Sequence, residues 1–144
     1  MISAVLDANI IASGILGFRN PDSIPGVLLR LWRKGIFALV TSKHLRDEVR
    51  DTLHKPYFTT HLSPQEISRI QALLQFQTKQ VLITENVPDI ATHPEDDLVI
   101  AAAVSGKVDY LVTGDGPLLR KVSKYKGVTL ISPNDFLEVL KKQI

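Results

Sequence analysis

Carboxylates are the residues in this chain whose types and positions could do chemistry. Asp7 follows the apolar run Ser3-Ala4-Val5-Leu6, and Asp115 follows Tyr110-Leu111-Val112-Thr113 after one glycine. Asp96 and Asp97 head the apolar stretch Leu98–Val104, and Glu48 lies beside the stripe Leu45, Val49, Leu53. Each acid alone has an ordinary structural role open to it. Asp7 and Asp115 could cap helices, Asp96 and Asp97 could answer a helix dipole, and Glu48 could be a solvated helix residue. Their conjunction points further, because three of the four positions fall at element ends expected to share one sheet edge. Carboxylates crowded there would repel and protonate unless a cation neutralised them. An all-oxygen set of that kind suits Mg²⁺ or Mn²⁺. Such ions activate water and stabilise charge in phosphate chemistry.

The elements that must position these acids alternate between strand and helix. Apolar runs at 3–6, 36–40, 81–83, 110–113 and 128–131 read as strands. Between them, helical spacing covers Val27–Trp32, Lys43–His54 and Ile67–Leu74, and Asp97, Ile100, Ala101 and Val104 share one face of a further helix. Ile10, Ile11 and Ile15 allow one or two helical turns after Asp7, with Gly14 and Gly17 expected to loosen the chain beyond them. Ser63-Pro64-Gln65-Glu66 has the form of a capping box, and Gly35 and Gly106 are expected to end helices. Ser132-Pro133-Asn134-Asp135 opens a last helix. This alternation argues a parallel sheet covered by helices on both faces. Right-handed crossovers then gather all strand C-termini on one edge, where open α/β folds place their ligands. Asp7 and Asp115 are thereby expected to converge.

The bulk numbers narrow the field. A chain of 144 residues, 44% hydrophobic and 22% charged, fits one domain over 1–144 with a core of its own. The absence of cysteine excludes disulfides, thiolate metal sites and a cysteine nucleophile, and a cytoplasmic setting is compatible with it. The N-terminus lacks the positive region of a secretory signal, and the apolar run 98–104 is too short to cross a bilayer, so no membrane partner is expected. The net charge is only +2, but residues 1–60 hold eight Lys and Arg against five Asp and Glu. With four acids committed to cations, the remaining surface would be basic, as a polyanion-binding surface needs. The four histidines show no zinc-type pairing, and no GxSxG, GxGxxG or P-loop run is present.

Four segments taken in order, VLDANIIAS, LRDEV, PEDDLVIAAA and DYLVTGDGPLL, resemble the PIN domain family, and the likeness extends over residues 2–135. Its closest flavour is that of the toxin components of prokaryotic toxin–antitoxin modules, the VapC-type ribonucleases. The resemblance implies a three-layer α/β/α sandwich around a five-stranded parallel sheet. It also implies a Mg²⁺- or Mn²⁺-dependent endoribonuclease that leaves a 5′-phosphate and a 3′-hydroxyl. By position, Asp7, Glu48, Asp97 and Asp115 match the four family acids. Asp97 is preferred to Asp96 because the family acid directly precedes the apolar run. Asn9 and Ser13 match the polar positions after the first acid, and Thr113 the hydroxyl before the last; Asp96 is a supporting acid. Pro117 stands where related sequences often carry a further acid, which implies one firmly held metal before two. The partners implied are an RNA substrate, a cognate antitoxin and a second copy of the chain. Two other readings are a non-catalytic PIN-like binding module and a phosphate-accepting receiver or phosphatase. The second of these is disfavoured by Asn9, where a phosphatase wants an acid, and by Ser132-Pro133, where a receiver wants lysine.

Overall fold

The computed structural model describes residues 1–85, 87 and 94–144, with side chains described again from Asp97 onward. The chain runs β1 (Ser3–Leu6), α1 (Ala8–Leu16), α2 (Ile24–Arg33), β2 (Ala38–Thr41), α3 (Lys43–Leu53), α4 (Pro56–Thr59) and α5 (Pro64–Gln77). It continues with β3 (Lys79–Gln80), α6 (Pro94–Ser105), β4 (Tyr110–Val112), α7 (Gly116–Lys121), β5 (Lys124–Tyr125), β6 (Val128–Ile131) and α8 (Pro133–Lys141).

The sheet order is β3-β2-β1-β4-β6-β5. The first five strands in that order are parallel, as expected, and β5 adds a short antiparallel edge. The fold is thus an α/β/α arrangement in which β1 and β4 sit centrally. Their residues Ala4, Val5, Leu6, Leu111 and Val112 are buried, which is why these strands read as apolar runs without alternation. α6 packs against β1 and β4, α1 against α2 and α3, α5 against α3, and α8 against α2. Phe136 of α8 meets Phe37 edge-on at 5.2 Å between ring centroids.

Local chemistry explains most boundaries. Ser63 accepts from Glu66 N–H while Glu66 accepts from Ser63 N–H, closing the expected capping box. After α2, Gly35 N–H bonds to Trp32 O and Ile36 N–H to Leu31 O, with Gly35 at φ +78°, a left-handed helix end that suits glycine.

Three local expectations need correcting. The strand read at 36–40 is observed at Ala38–Thr41, because α2 and its left-handed end extend to Ile36. The strand read at 81–83 lies two residues earlier: α5 runs on to Gln77, and the ladder ends once Val81 N–H reaches Thr41 O. Leu82 is 84% exposed, so its apolarity signals no burial. α6 ends at Ser105, before Gly106 as expected, and Lys107 (φ +50°) then takes the left-handed position as Lys107 and Val108 N–H turn back onto Val104 and Ala103. Gly14 does not loosen α1, which continues unbroken to Leu16. A Cβ at Gly14 would stand 2.7 Å from Pro25 O, and one at Gly26 would stand 2.1 Å from Gly17 O. These glycines let α1 and α2 approach closely.

Candidate active site

Two strands leave the sheet centre for opposite sides: the chain goes from β1 to β2 on one flank, while β4 pairs β1 on the other. Such a reversal opens a crevice at the strand C-termini, the general position of ligand sites in open α/β sheets. Register pairs Leu6 with Val112, so the next residues, Asp7 and Thr113, emerge side by side. Asp7 N–H still bonds to Val112 O (3.0 Å), and Thr113 N–H to Ile131 O (3.0 Å), so the backbone beneath both side chains is pinned.

Asp7 is the N-cap of α1. Its Oδ1 accepts from Ile10 N–H at 3.0 Å, and its Oδ2 accepts from the Thr113 hydroxyl at 2.8 Å. That hydroxyl also accepts from Asp115 N–H (3.1 Å), and Asp115 caps α7 by accepting from Leu118 N–H at 3.1 Å. A single buried threonine therefore ties the two capping aspartates together. Both acids fill the structural role open to them from sequence, and both also line one open cavity of about 500 Å³. Asn9, Ser13 and Thr113 line it as well, with Ile10, Pro25 and Gly114 completing the wall.

Burial of the Asp7 side chain pushes its carboxyl above the ordinary value of 3.8. The N–H groups of Ile10, Gly114 and Asn9 and the Thr113 hydroxyl pull the other way, and desolvation outweighs them. The ionised form of Asp7 is therefore held at a cost to folding stability. Each capping carboxylate has about four lone-pair sites, which leaves oxygen donors beyond the helix caps. Hard oxygen donors of this kind fit Mg²⁺ or Mn²⁺ better than any softer metal.

The remaining expected residues sit on other helices. Glu48 is on α3, where His44 Nε2 stands 2.6 Å from its Oε1, one turn away. This pairing went unread in the sequence, although the i, i+4 spacing of His44 and Glu48 on one helix was its signal. Asp97 is in the first turn of α6 and partly exposed. Neither Glu48 nor Asp97 lines the cavity of Asp7 and Asp115. The Asp96 side chain lies outside the described residues. Among the described residues, no three Asp, Glu or His side chains gather closely enough to hold one ion together.

A family model for the PIN domain matches residues 3–116, most of the chain. The chain belongs to the PIN domain family, and its fold is the nuclease-like fold of that family. PIN domains are in general metal-dependent nucleases. No curated protein matches the chain. Among the described residues, no helix is long and apolar enough to cross a membrane.

Proposed function

We propose that this PIN domain is an endoribonuclease dependent on Mg²⁺ or Mn²⁺. The observation that carries this reading is the coupling of Asp7 and Asp115, at the ends of neighbouring central strands, through the Thr113 hydroxyl and onto one cavity. Asp7 and Asp115 would hold the ion, and Asp97 and Glu48 would complete the set once substrate and metal draw them in. When bound, the ion supplies a more acidic water and neutralises charge on the phosphodiester. The chain's own part is positional. Thr113 keeps the Asp7 carboxylate oriented and ionised by donating to it, while the α1 and α7 N-termini favour negative charge at both caps. Asn9 and Ser13, on the exposed side of α1, offer neutral donors to the RNA backbone. His44 holds Glu48 by a short contact and sets the direction of that carboxylate. The products in this reading carry 5′-phosphate and 3′-hydroxyl ends.

The reading extends to a toxin of a type II toxin–antitoxin pair, inhibited by a cognate protein and acting as a homodimer in the cytoplasm. That extension is supported by the likeness of the four sequence segments alone. Co-expression with the adjacent reading frame and light scattering test these two partners separately.

A second reading is a PIN module that binds RNA without cutting it, in which Asp7 and Asp115 serve only as the N-caps of α1 and α7. A panel of defined single-stranded RNAs incubated with Mg²⁺, Mn²⁺ or EDTA separates the two. Cleavage that needs Mg²⁺ or Mn²⁺ supports the nuclease. Retained RNA binding with no cleavage in either metal supports the binding module.

A further inference from the structure

The flank of α3 away from Glu48 carries a second charged feature. Lys43, Arg46 and Arg50 follow one another at i, i+3 and i+7 and face Gln71 and Gln75 of α5 across an open groove of about 410 Å³. At 100° per residue these cations sit roughly 140–160° around the helix from Glu48. The N-terminus of α3, where Lys43 opens the groove, nevertheless lies on the same sheet edge as Asp7, because Ser42 and Asp7 each follow the C-terminal end of one of the parallel neighbours β2 and β1.

Within the groove the cations already converge on anionic oxygen. Asp47 receives Lys43 Nζ at 2.8 Å on Oδ2 and Arg50 Nη1 at 3.3 Å on Oδ1. The hydrogen bond from the Lys43 ammonium holds the Asp47 carboxyl below the usual carboxylate range. Arg46 is partly buried, and its Nη1 donates to the neutral hydroxyl of Thr41 at 3.1 Å. Arg50 also donates to Asp51 Oδ1 from Nε (3.3 Å) and Nη2 (3.2 Å), outside the groove lining. Three cations and one acid line the groove itself, with amide donors opposite, a surface suited to a chain of phosphates.

We propose that the α3–α5 groove carries the phosphate backbone of single-stranded RNA towards the Asp7–Asp115 cavity, with Arg46 as a principal contact and Asp47 as an internal occupant that the RNA displaces. The substrate class rests on the nuclease reading above. Removing the occupant frees Lys43 and the Nη1 of Arg50, whose Nε and Nη2 stay on Asp51, so loss of the Asp47 charge tightens binding while loss of any of the three cations weakens it.

The test is fluorescence anisotropy of a labelled oligouridine titrated with the full chain in EDTA over a range of salt concentrations. Arg46→Gln is expected to weaken binding roughly tenfold and to lower the salt slope by about 0.7, the value of one single-strand phosphate contact. Asp47→Asn is expected to tighten binding several-fold. Lys141→Gln on α8, an equal charge change away from the groove, serves as control and is expected to shift affinity less than about twofold. The exposed double variant Lys43→Gln/Arg50→Gln keeps the test open should Arg46→Gln, which loses its Thr41 bond, fail to fold. Groove variants that bind like the control, or an Asp47→Asn protein no tighter than wild type, would overturn the proposal. Cleavage is measured separately on the wild-type chain. Metal-dependent cleavage with normal binding by the groove variants refutes the groove and leaves the nuclease standing. Weakened binding by those variants without wild-type cleavage refutes the nuclease and supports the groove.

Discussion

Replacing Asp7 by asparagine separates the cost of its charge from the value of its hydrogen bonds. Burial raises the Asp7 pKa above 3.8 in the folded chain. The native state therefore holds this proton more tightly than the unfolded state, so ν_N exceeds ν_U and stability falls as pH rises from 3.8 through the raised folded value. Above that window the penalty is complete. Asparagine removes it and keeps most of the local bonding, because Asn caps helices about as well as Asp. Its amide can accept from Ile10 N–H, while the Thr113 hydroxyl, now 2.8 Å from Asp7 Oδ2, can turn to accept from the other end. Single changes that relieve a functional-site cost commonly stabilise by about 0.5–2 kcal/mol. For a chain of this size 1 kcal/mol corresponds to about 3–5 °C in Tm. In EDTA at neutral pH, Asp7→Asn is expected to melt about 2–10 °C above wild type, and the gap should close as pH falls towards 3.8. Excess Mn²⁺ should reverse the order by stabilising only the wild type, by about 2.7 kcal/mol at a hundred times Kd. Scanning calorimetry across pH measures all three. An Asp7→Asn protein less stable than wild type at neutral pH in EDTA would refute the reasoning, since the donors around the carboxylate would then offset its burial in full.

Three further substitutions test the scaffold around the site. Thr113→Val removes a buried hydroxyl that donates to Asp7 and accepts from Asp115 N–H, and is expected to cost about 1–3 kcal/mol in urea denaturation; an unchanged midpoint would contradict the tie between the two acids. Lys107→Gly relieves a left-handed residue at φ +50° and is expected to add about 0.5–1 kcal/mol by the same measurement. Gly26→Ala would place a Cβ 2.1 Å from Gly17 O, forcing α1 and α2 apart at a cost of about 1–3 kcal/mol, visible as a lowered Tm.

The elements that read well in the sequence are those whose signal is local. The apolar runs of β1, β4 and β6 and the Ser63–Glu66 capping box sit where spacing puts them. Asp7 and Asp115 emerge at neighbouring strand ends because strand alternation and crossover handedness dictate it. Features that depend on distant partners were not legible in the same way. The role of Gly14 is set by Pro25 and Leu29 on another helix, so its propensity as a breaker was overridden by packing. The β5–β6 hairpin was missed although Lys126 and Gly127, both at positive φ, form its two-residue turn. A strand of two residues has no periodicity to read. The His44–Glu48 contact was legible as a spacing but not as a 2.6 Å approach.

The most direct measurement is single-turnover cleavage of a 5′-labelled single-stranded RNA in Mn²⁺ by wild type, Asp7→Asn and Asp115→Asn. The expected result is cleavage by the wild type that EDTA abolishes, with each variant slower by about a hundredfold or more, a loss of about 2.7 kcal/mol in transition-state stabilisation. Variants that cleave at the wild-type rate would show that the paired aspartates at the β1 and β4 ends are helix caps and nothing more.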